Sequence, residues 1–190
     1  MAKPDAWLRV SNITGRTTGV FLPDEDIELR SETLRPLVSI GNHPLDLARA
    51  VFRLDLNSRV HGEPHWAQVL NNGLFLADRM PEVDRTVVEW FAWLHDCARM
   101  NDDADPGHGR RAVTMLHGMQ AAGLLPLKEL QLGTLLMAID GHSAGHTTQI
   151  PTVGACWDAD RLDLWRVGIR PDPEFMSTDA GKRLAERRQK

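Results

Sequence analysis

Apolar residues recur three to four positions apart through most of the chain beyond residue 44, which is the spacing of amphipathic helices. The clearest stripe contains Val87, Phe91, Leu94 and Ala98. Pro64 suits the first turn of a helix, where its missing N–H has no partner to lose. The pattern predicts helices over Leu45–Leu56, Pro64–Ala77, Val83–Ala98, His108–Ala122, Leu127–His142, Cys156–Val167 and Ser177–Arg188.

The first part of the chain lacks this periodicity. Gly15, Gly19, Pro23 and Pro36 interrupt it, and Thr17–Leu22 fits one short strand. Neither an internal repeat nor an alternation of strands and helices follows. The sequence therefore predicts an all-α fold with three parts. They are an irregular extension over residues 1–58 containing a short strand or hairpin, a helical bundle over residues 59–176, and a C-terminal helix and tail over residues 177–190.

Composition limits the class of protein further. The chain of 190 residues is 42% hydrophobic and carries a net charge of −4, which suits one globular domain. This charge gives no electrostatic basis for binding a nucleic acid polymer or an anionic membrane. Cys97 and Cys156 fit neither a disulfide framework nor a thiolate zinc site, and residues 1–10 do not resemble a signal peptide. We therefore expect a cytoplasmic protein without a membrane partner.

Histidines and carboxylates gather at predicted helix ends. Seven of the eight histidines lie between residues 61 and 146, and His95-Asp96 ends the most apolar helix. Neutral imidazole combined with carboxylate suits a divalent cation. His65 stands near the start of the preceding helix, and Asp160 shares a helix face with apolar neighbours, where a carboxylate is costly unless it is paired with an arginine or a metal. These residues are candidate metal ligands.

The order of these residues, and the text around them, resembles the HD-domain metal-dependent phosphohydrolases. The resemblance runs from about residue 60 to 170 and is carried by HGEPHWAQVLNNGLFLA, WLHDCARMNDDADPGHGRRA and CWDADRLDLWRVGIRPDP. It implies an HD-domain helical bundle whose metal ligands are His65, His95, Asp96 and Asp160. Asp158 competes with Asp160, which is favoured because a basic residue follows it, as in the family.

The resemblance also bears on the number of metal ions. Some members of the family bind a second ion through two further histidines, which His108 and His142 match here. His117 competes with His108, and His146 is the alternative to His142. The interval from Asp96 to His108 is shorter than is usual in two-metal members, so one ion and two ions both stay open. If only one is bound, His108 and His142 would contact phosphate or supply a proton. The implied cofactor is Mn, Fe, Co, Ni, Zn or Mg.

The implied activity is hydrolysis of a nucleotide or other small phosphoester by a metal-activated water. The candidate catalytic residues are Asp96, His108, Arg99 and His61, with His61 lining the pocket. Two alternatives stay open, namely a di-iron oxygenase that uses the same ligands and a non-catalytic nucleotide sensor. The extension over residues 1–58 would cover the pocket, form a homodimer or do neither.

One competing motif is set aside. Residues 141–145 fit the GxSxG pattern of serine hydrolases, whose nucleophile follows a strand of a parallel sheet. No histidine follows His146 to complete a triad, and strands do not alternate with helices. We therefore do not predict a serine hydrolase.

Overall fold

The computed structural model describes residues 43–187 together with the backbone of residues 7–11 and 17–21. The two early segments are the strands β1 (Trp7–Ser11) and β2 (Thr17–Phe21). They pair antiparallel, with Trp7 opposite Phe21. The strand predicted over Thr17–Leu22 is therefore present and ends one residue earlier. The remaining expectations for residues 1–42 lie outside the described residues, and the division of the chain at residue 58 stays a prediction.

Residues 43–187 form a helical bundle, which confirms the predicted all-α class. Two short 3₁₀ helices, Leu164–Val167 and Pro173–Phe175, accompany the α-helices. The α-helices are α1 (Pro44–Val51), α2 (Glu63–Ala77), α3 (Arg85–Leu94), α4 (His108–Ala121), α5 (Glu129–Gly141), α6 (Pro151–Arg161) and α7 (Asp179–Arg187).

Three helices differ from their predicted bounds by four residues or more at one end. The helix predicted over Val83–Ala98 spans Arg85–Leu94, with Asp84 capping its start. The helix expected to reach Leu56 ends at Val51, because Phe52 is extended and a polar turn follows in which Asp55 accepts from the Asn57 N–H. The helix expected over Cys156–Val167 begins earlier, at Pro151, and ends at Arg161 before a separate 3₁₀ turn. Helix α1 is shorter than predicted because the Asp55 side chain binds a backbone N–H that a longer helix would use. Helix α6 begins at Pro151 because a proline is favoured in the first turn of a helix.

Helix α3 lies at the centre of the bundle. It packs against α1, α2, α5 and α6, and its residues Val87, Phe91 and Leu94 are fully buried. Gly73 allows α2 to approach closely, since a Cβ there would lie 2.5 Å from a Val88 methyl group. The C-terminal end of α3 is thereby surrounded by the ends of its neighbours.

A buried carboxylate attaches the last helix to α6. Asp158 accepts hydrogen bonds from the Ser177 N–H (2.7 Å), the Thr178 N–H (2.8 Å) and the Thr178 hydroxyl (2.7 Å). The Thr178 hydroxyl also accepts from the Gly181 N–H at 2.9 Å and so caps α7. Gly181 is required here because a Cβ would overlap the Asp158 carboxylate. The start of α7 is thereby fixed against α6 at Asp158.

Replacing the Thr178 hydroxyl tests this attachment. We expect Thr178→Val to lower the free energy of unfolding by about 1–2 kcal/mol, since it removes a helix cap and a hydrogen bond to a buried carboxylate without changing side-chain volume much. Thr178→Ser retains the hydroxyl and is the matched control. Urea denaturation measures both, and a valine variant as stable as the parent would contradict the assigned role.

Candidate metal centre

The six residues proposed as ligands come together at one end of the bundle, from five helices. Asp160 is slightly exposed and the other five are buried. His65 lies in the first turns of α2, and α6 supplies Asp160 near its end. The remaining four stand at helix termini, namely His95 and Asp96 directly after α3, His108 as the first residue of α4 and His142 directly after α5.

The first group of ligand atoms is centred on His65. Its Nε2 lies 3.1 Å from His95 Nε2, 3.4 Å from Asp160 Oδ1 and 3.7 Å from Asp96 Oδ2. His95 Nε2 is in turn 3.5 Å from the same Asp96 oxygen. Three of these residues, His65, His95 and Asp160, offer ligand atoms that all lie within 4.8 Å of one another.

The second group lies on the other side of Asp96. His108 Nε2 and His142 Nε2 are 2.7 Å apart, and Asp96 Oδ1 is 3.2 Å from the former and 3.6 Å from the latter. His95, Asp96 and His142 also qualify as a set of neighbouring ligand atoms. Asp96 therefore directs one carboxylate oxygen towards each group.

The outer ring nitrogens determine which face of each imidazole points inwards. His95 Nδ1 lies 3.2 Å from the Phe91 carbonyl, and His142 Nδ1 lies 2.7 Å from the Ile139 carbonyl. His108 Nδ1 contacts the Asp105 carbonyl in the same way. Carbonyl oxygens only accept, so each Nδ1 donates a proton and leaves the Nε2 lone pair facing the centre. Lone pairs that converge in this way repel one another, and a proton or a metal cation between them relieves the repulsion.

The spacing of these atoms fits a bound cation. Ligand atoms on one ion at about 2.0–2.2 Å stand roughly 3–3.5 Å from each other, close to the separations within both groups. Asp160 Oδ1 is buried and accepts no hydrogen bond from any residue that the structure describes. An oxygen left in this state is costly unless an ion takes the place of the missing donor. The residues present therefore fit one or two divalent ions.

The protonation of the ligands favours cation binding. Burial lowers the pKa of His95 to about 3, so its imidazole is neutral at physiological pH. Burial opposes ionisation of Asp96, yet the imidazoles of His95, His108 and His142 hold its pKa well below its usual range. Burial lowers the pKa of His65, but Asp160 and Asp163 together raise it above its ordinary value. The carboxylates around His65 thus attract positive charge, whether a proton or a metal ion.

Two residues that the sequence analysis did not select support the first group. Asp163 Oδ2 lies 2.8 Å from His65 Nδ1, an orienting contact typical of metal-bound histidines. Arg166 Nη1 lies 3.8 Å from Asp160 Oδ1, and Arg166 Nε donates to the Val60 carbonyl at 2.6 Å. The one available signal was the position of Asp163, about one helical turn after Asp160.

The structure also separates the competing candidates. Asp158 faces α7 and holds its start, while Asp160 faces the centre. His117 lies farther along α4, partly exposed, and belongs to neither group of neighbouring ligand atoms in residues 43–187. His146 is exposed. The geometry therefore brings Asp160, His108 and His142 to the centre rather than their competitors.

The other two catalytic candidates, His61 and Arg99, lie beside the ligands. His61 is buried, and its Nδ1 lies 2.9 Å from Asp102 Oδ1. Arg99 donates to the Asn101 carbonyl (3.3 Å) and the Asp103 carbonyl (2.7 Å), and its Nη1 is 3.6 Å from Asp96 Oδ1. Arg99 therefore holds the loop between α3 and α4, and both Arg99 and His61 line the cavity above the ligands.

A cavity of about 550 Å³ opens over the centre. Asp96, His108, His142 and Asp160 form its floor, while one side is built by the stretch from residue 161 to residue 176. Ser143 of the GxSxG pattern also lines it, but follows a helix rather than a strand, so no nucleophile elbow exists there. The side formed by this stretch contributes Arg161, Leu164, Arg166, Ile169, Arg170, Asp172, Phe175 and Met176.

Among the described residues, none of the helices combines the length and the apolar character needed to span a bilayer.

Comparison with known proteins adds a fold assignment. No protein-family model and no curated protein matches the chain. The crystal structure of a predicted HD superfamily hydrolase from an uncultured Thermotogales bacterium does match, with a TM-score of 0.59 and 23% sequence identity. The match covers 82% of this chain and 90% of that chain. The chain therefore has the HD-superfamily fold, as the resemblance of its motifs implied.

Proposed function

We propose that this chain, with its HD-superfamily fold, is a metal-dependent phosphohydrolase that acts on a small phosphoester. The observation that carries the proposal is the position of Asp96, whose two oxygens face two groups of inward-pointing imidazoles on the floor of an open cavity. The structural neighbour is itself described as a predicted hydrolase, which agrees with this reading.

The residues around the floor suit a phosphoryl group. His65, His95, Asp96 and Asp160 would hold a divalent cation, which would lower the pKa of a water and withdraw charge from a phosphoryl oxygen. Two buried carboxylates would repel a phosphate, so cationic side chains are needed nearby. Arg166, close to Asp160 and lining the cavity, provides one such charge.

We infer that His61 donates a proton to the leaving oxygen. Its Nδ1 faces the Asp102 carboxylate, so its Nε2 is the nitrogen available to the cavity. Burial lowers the pKa of His61 despite the opposing influence of Asp96 and Asp102. A lowered pKa makes the imidazolium a stronger acid, which favours donation to an alkoxide leaving group.

Substrates with different leaving groups test this role. We expect His61→Asn to lower kcat about 10²-fold on glycerol phosphate, and less than about 5-fold on 4-nitrophenyl phosphate, whose leaving group needs no proton. Asp102→Asn should show the same pattern more weakly. His117→Asn, which lies outside the cavity, is the control. Equal losses on both substrates would exclude a proton donor.

Reconstitution with single metals tests the function itself. The chelated protein is loaded in turn with Mn, Fe(II), Co, Ni, Zn or Mg and offered nucleotides, phenyl phosphate and glycerol phosphate. We expect phosphate release with at least one ion and none from the stripped protein. Full activity after stripping would overturn the proposal, as would the absence of release with every ion.

The six-ligand set would also serve a di-iron oxygenase, so oxygen consumption is measured in the iron-loaded sample. Iron-dependent oxygen uptake without phosphate release would favour that alternative. Tight nucleotide binding without turnover would favour a sensor. A nucleotide substrate, a homodimer and a cytoplasmic location stay predictions.

A further inference from the structure

The side of the cavity built by residues 161–176 differs in chemistry from the floor. Leu164, Ile169 and Phe175 line it, and Ile169 and Phe175 are 53% and 52% exposed. Large apolar side chains this exposed beside a polar cavity floor indicate a surface that an apolar ligand covers. We call residues 161–176 the outer wall.

One buried donor of the outer wall has no partner among the described residues. Arg161 is 6% exposed, and its Nη1 donates to the Phe175 carbonyl at 2.5 Å. Its Nη2 is buried and makes no hydrogen bond there. Leaving a buried guanidinium N–H unpaired costs about 1–3 kcal/mol, so an acceptor is expected to occupy the adjoining space. Arg161 lines the cavity, and because its Nη2 is closed to solvent in this structure, the guanidinium must shift for an acceptor in the cavity to reach that nitrogen.

Arg161 also lies over the Trp157 ring at 5.5 Å, and the neighbouring arginines have contacts of their own. Arg166 is committed to the Val60 carbonyl and to Asp160, and Arg170 lies over the Trp165 ring at 5.5 Å. The outer wall thus offers one well-buried donor nitrogen beside apolar side chains. A second phosphate group would require several donors, whereas a single carbonyl or carboxylate oxygen requires one.

The size of the cavity indicates what this wall contacts. A volume of about 550 Å³ falls within the range of sites that enclose whole small organic molecules, so a phosphoryl group alone would not fill it. If the phosphoryl group sits on the floor with Asp96 and Asp160, the alcohol that it is bonded to extends towards the outer wall.

We propose that the outer wall is the subsite for the leaving alcohol, selecting one with a flat apolar body and an oxygen acceptor within reach of Arg161 Nη2. This inference rests on the proposed function. Phe175 and Ile169 contact the apolar body of the alcohol, and Arg161 donates a hydrogen bond to its acceptor oxygen. The substrates are then phosphoesters of ring-bearing alcohols rather than of small polyols.

Variants of the metal-loaded protein test the apolar contact. Phe175→Ala should lower the ratio of kcat/KM for phenyl phosphate over glycerol phosphate about tenfold. The matched control is Val167→Ala, because Val167 is 42% exposed in the same stretch but does not line the cavity, and it should leave the ratio unchanged. An unchanged ratio in Phe175→Ala would overturn the proposal.

The acceptor is tested with substituted substrates. The unsubstituted protein should favour 3-carbamoylphenyl phosphate over phenyl phosphate about tenfold in kcat/KM, and Arg161→Lys should abolish that preference. No preference in the unsubstituted protein would contradict the role of Arg161, even if the arginine variant fails to fold.

A binding measurement separates this inference from the proposed function. Calorimetric titration of the metal-loaded protein should show benzylphosphonate binding about tenfold more tightly than methylphosphonate, with the difference lost in Phe175→Ala. That result without phosphate release from any ester would support the subsite and refute the hydrolase. Phosphate release without any benzyl preference would refute the subsite alone.

Discussion

Asp96→Ala is expected to reduce phosphate release at least roughly 10³-fold while leaving the helical bundle folded. Asp96 alone directs one oxygen towards His65 and His95 and the other towards His108 and His142, so its loss removes a ligand from both groups. Asp96→Asn should be nearly as inactive, since it keeps the volume but loses the charge. Phosphate release, bound metal by elemental analysis and circular dichroism are measured on the same samples.

Asp103→Ala is the control for this substitution. Asp103 is an exposed carboxylate in the nearby loop, and the hydrogen bonds that involve it use its backbone atoms. The Asp103→Ala protein should retain the activity and the metal content of the parent. An Asp96→Ala protein that kept more than a tenth of the parental rate would contradict the assignment of Asp96.

A saturating divalent ion is expected to raise the melting temperature by about 5–10 °C. An ion at 100 times its Kd adds about 2.7 kcal/mol to the free energy of unfolding when only the folded state binds it, and for a domain of this size each kcal/mol corresponds to about 2–4 °C. The ligands come from five helices, so a bound ion connects these helices and compensates the carboxylate charge that they bring together. Thermal melts at graded concentrations of each ion measure the shift.

Two comparisons make this result specific. Asp160→Asn should lose most of the shift and His117→Ala should retain it, and Ca²⁺, which prefers oxygen ligands, should give less than Mn²⁺ or Co²⁺.

Because the pKa of His65 is raised, a proton stabilises the metal-free protein below about pH 6.5, and that contribution is lost as pH rises through the raised pKa. The shift should therefore grow between pH 6 and pH 8. Equal melting temperatures with and without ion at pH 8 would contradict a metal centre.

The regular helices could be predicted because burial against neighbouring helices imposes a repeat of three to four residues on the sequence. Val87, Phe91 and Leu94 display that repeat and are all buried in α3. The start of α6 could not be read in this way, because Pro151 and Gly154 interrupt the apolar pattern. Glycine is favoured at position 154 because a Cβ there would lie only 2.9 Å from the Ser177 Cβ.

The candidate site, too, could be predicted only in part. His65, His95, Asp96 and Asp160 could be proposed from their order and flanking text. Their supporting contacts could not, because Asp163 and Arg166 act through side-chain positions set by tertiary packing. The outer wall shows no periodicity, and its unpaired Arg161 nitrogen is evident only once the fold encloses it.

The outer wall is a single uninterrupted stretch held at both ends. It begins at Arg161, the last residue of α6, and is followed by Ser177, whose N–H donates to Asp158 of the same helix. Both attachment points therefore belong to one rigid element, and the ligands from the other helices lie outside the stretch. Transplanting residues 164–176 between related chains, with Arg166 retained because it supports Asp160, should exchange which alcohols are accepted and leave ion affinity intact, so descendants of this fold can acquire new substrates without rebuilding their reaction centre.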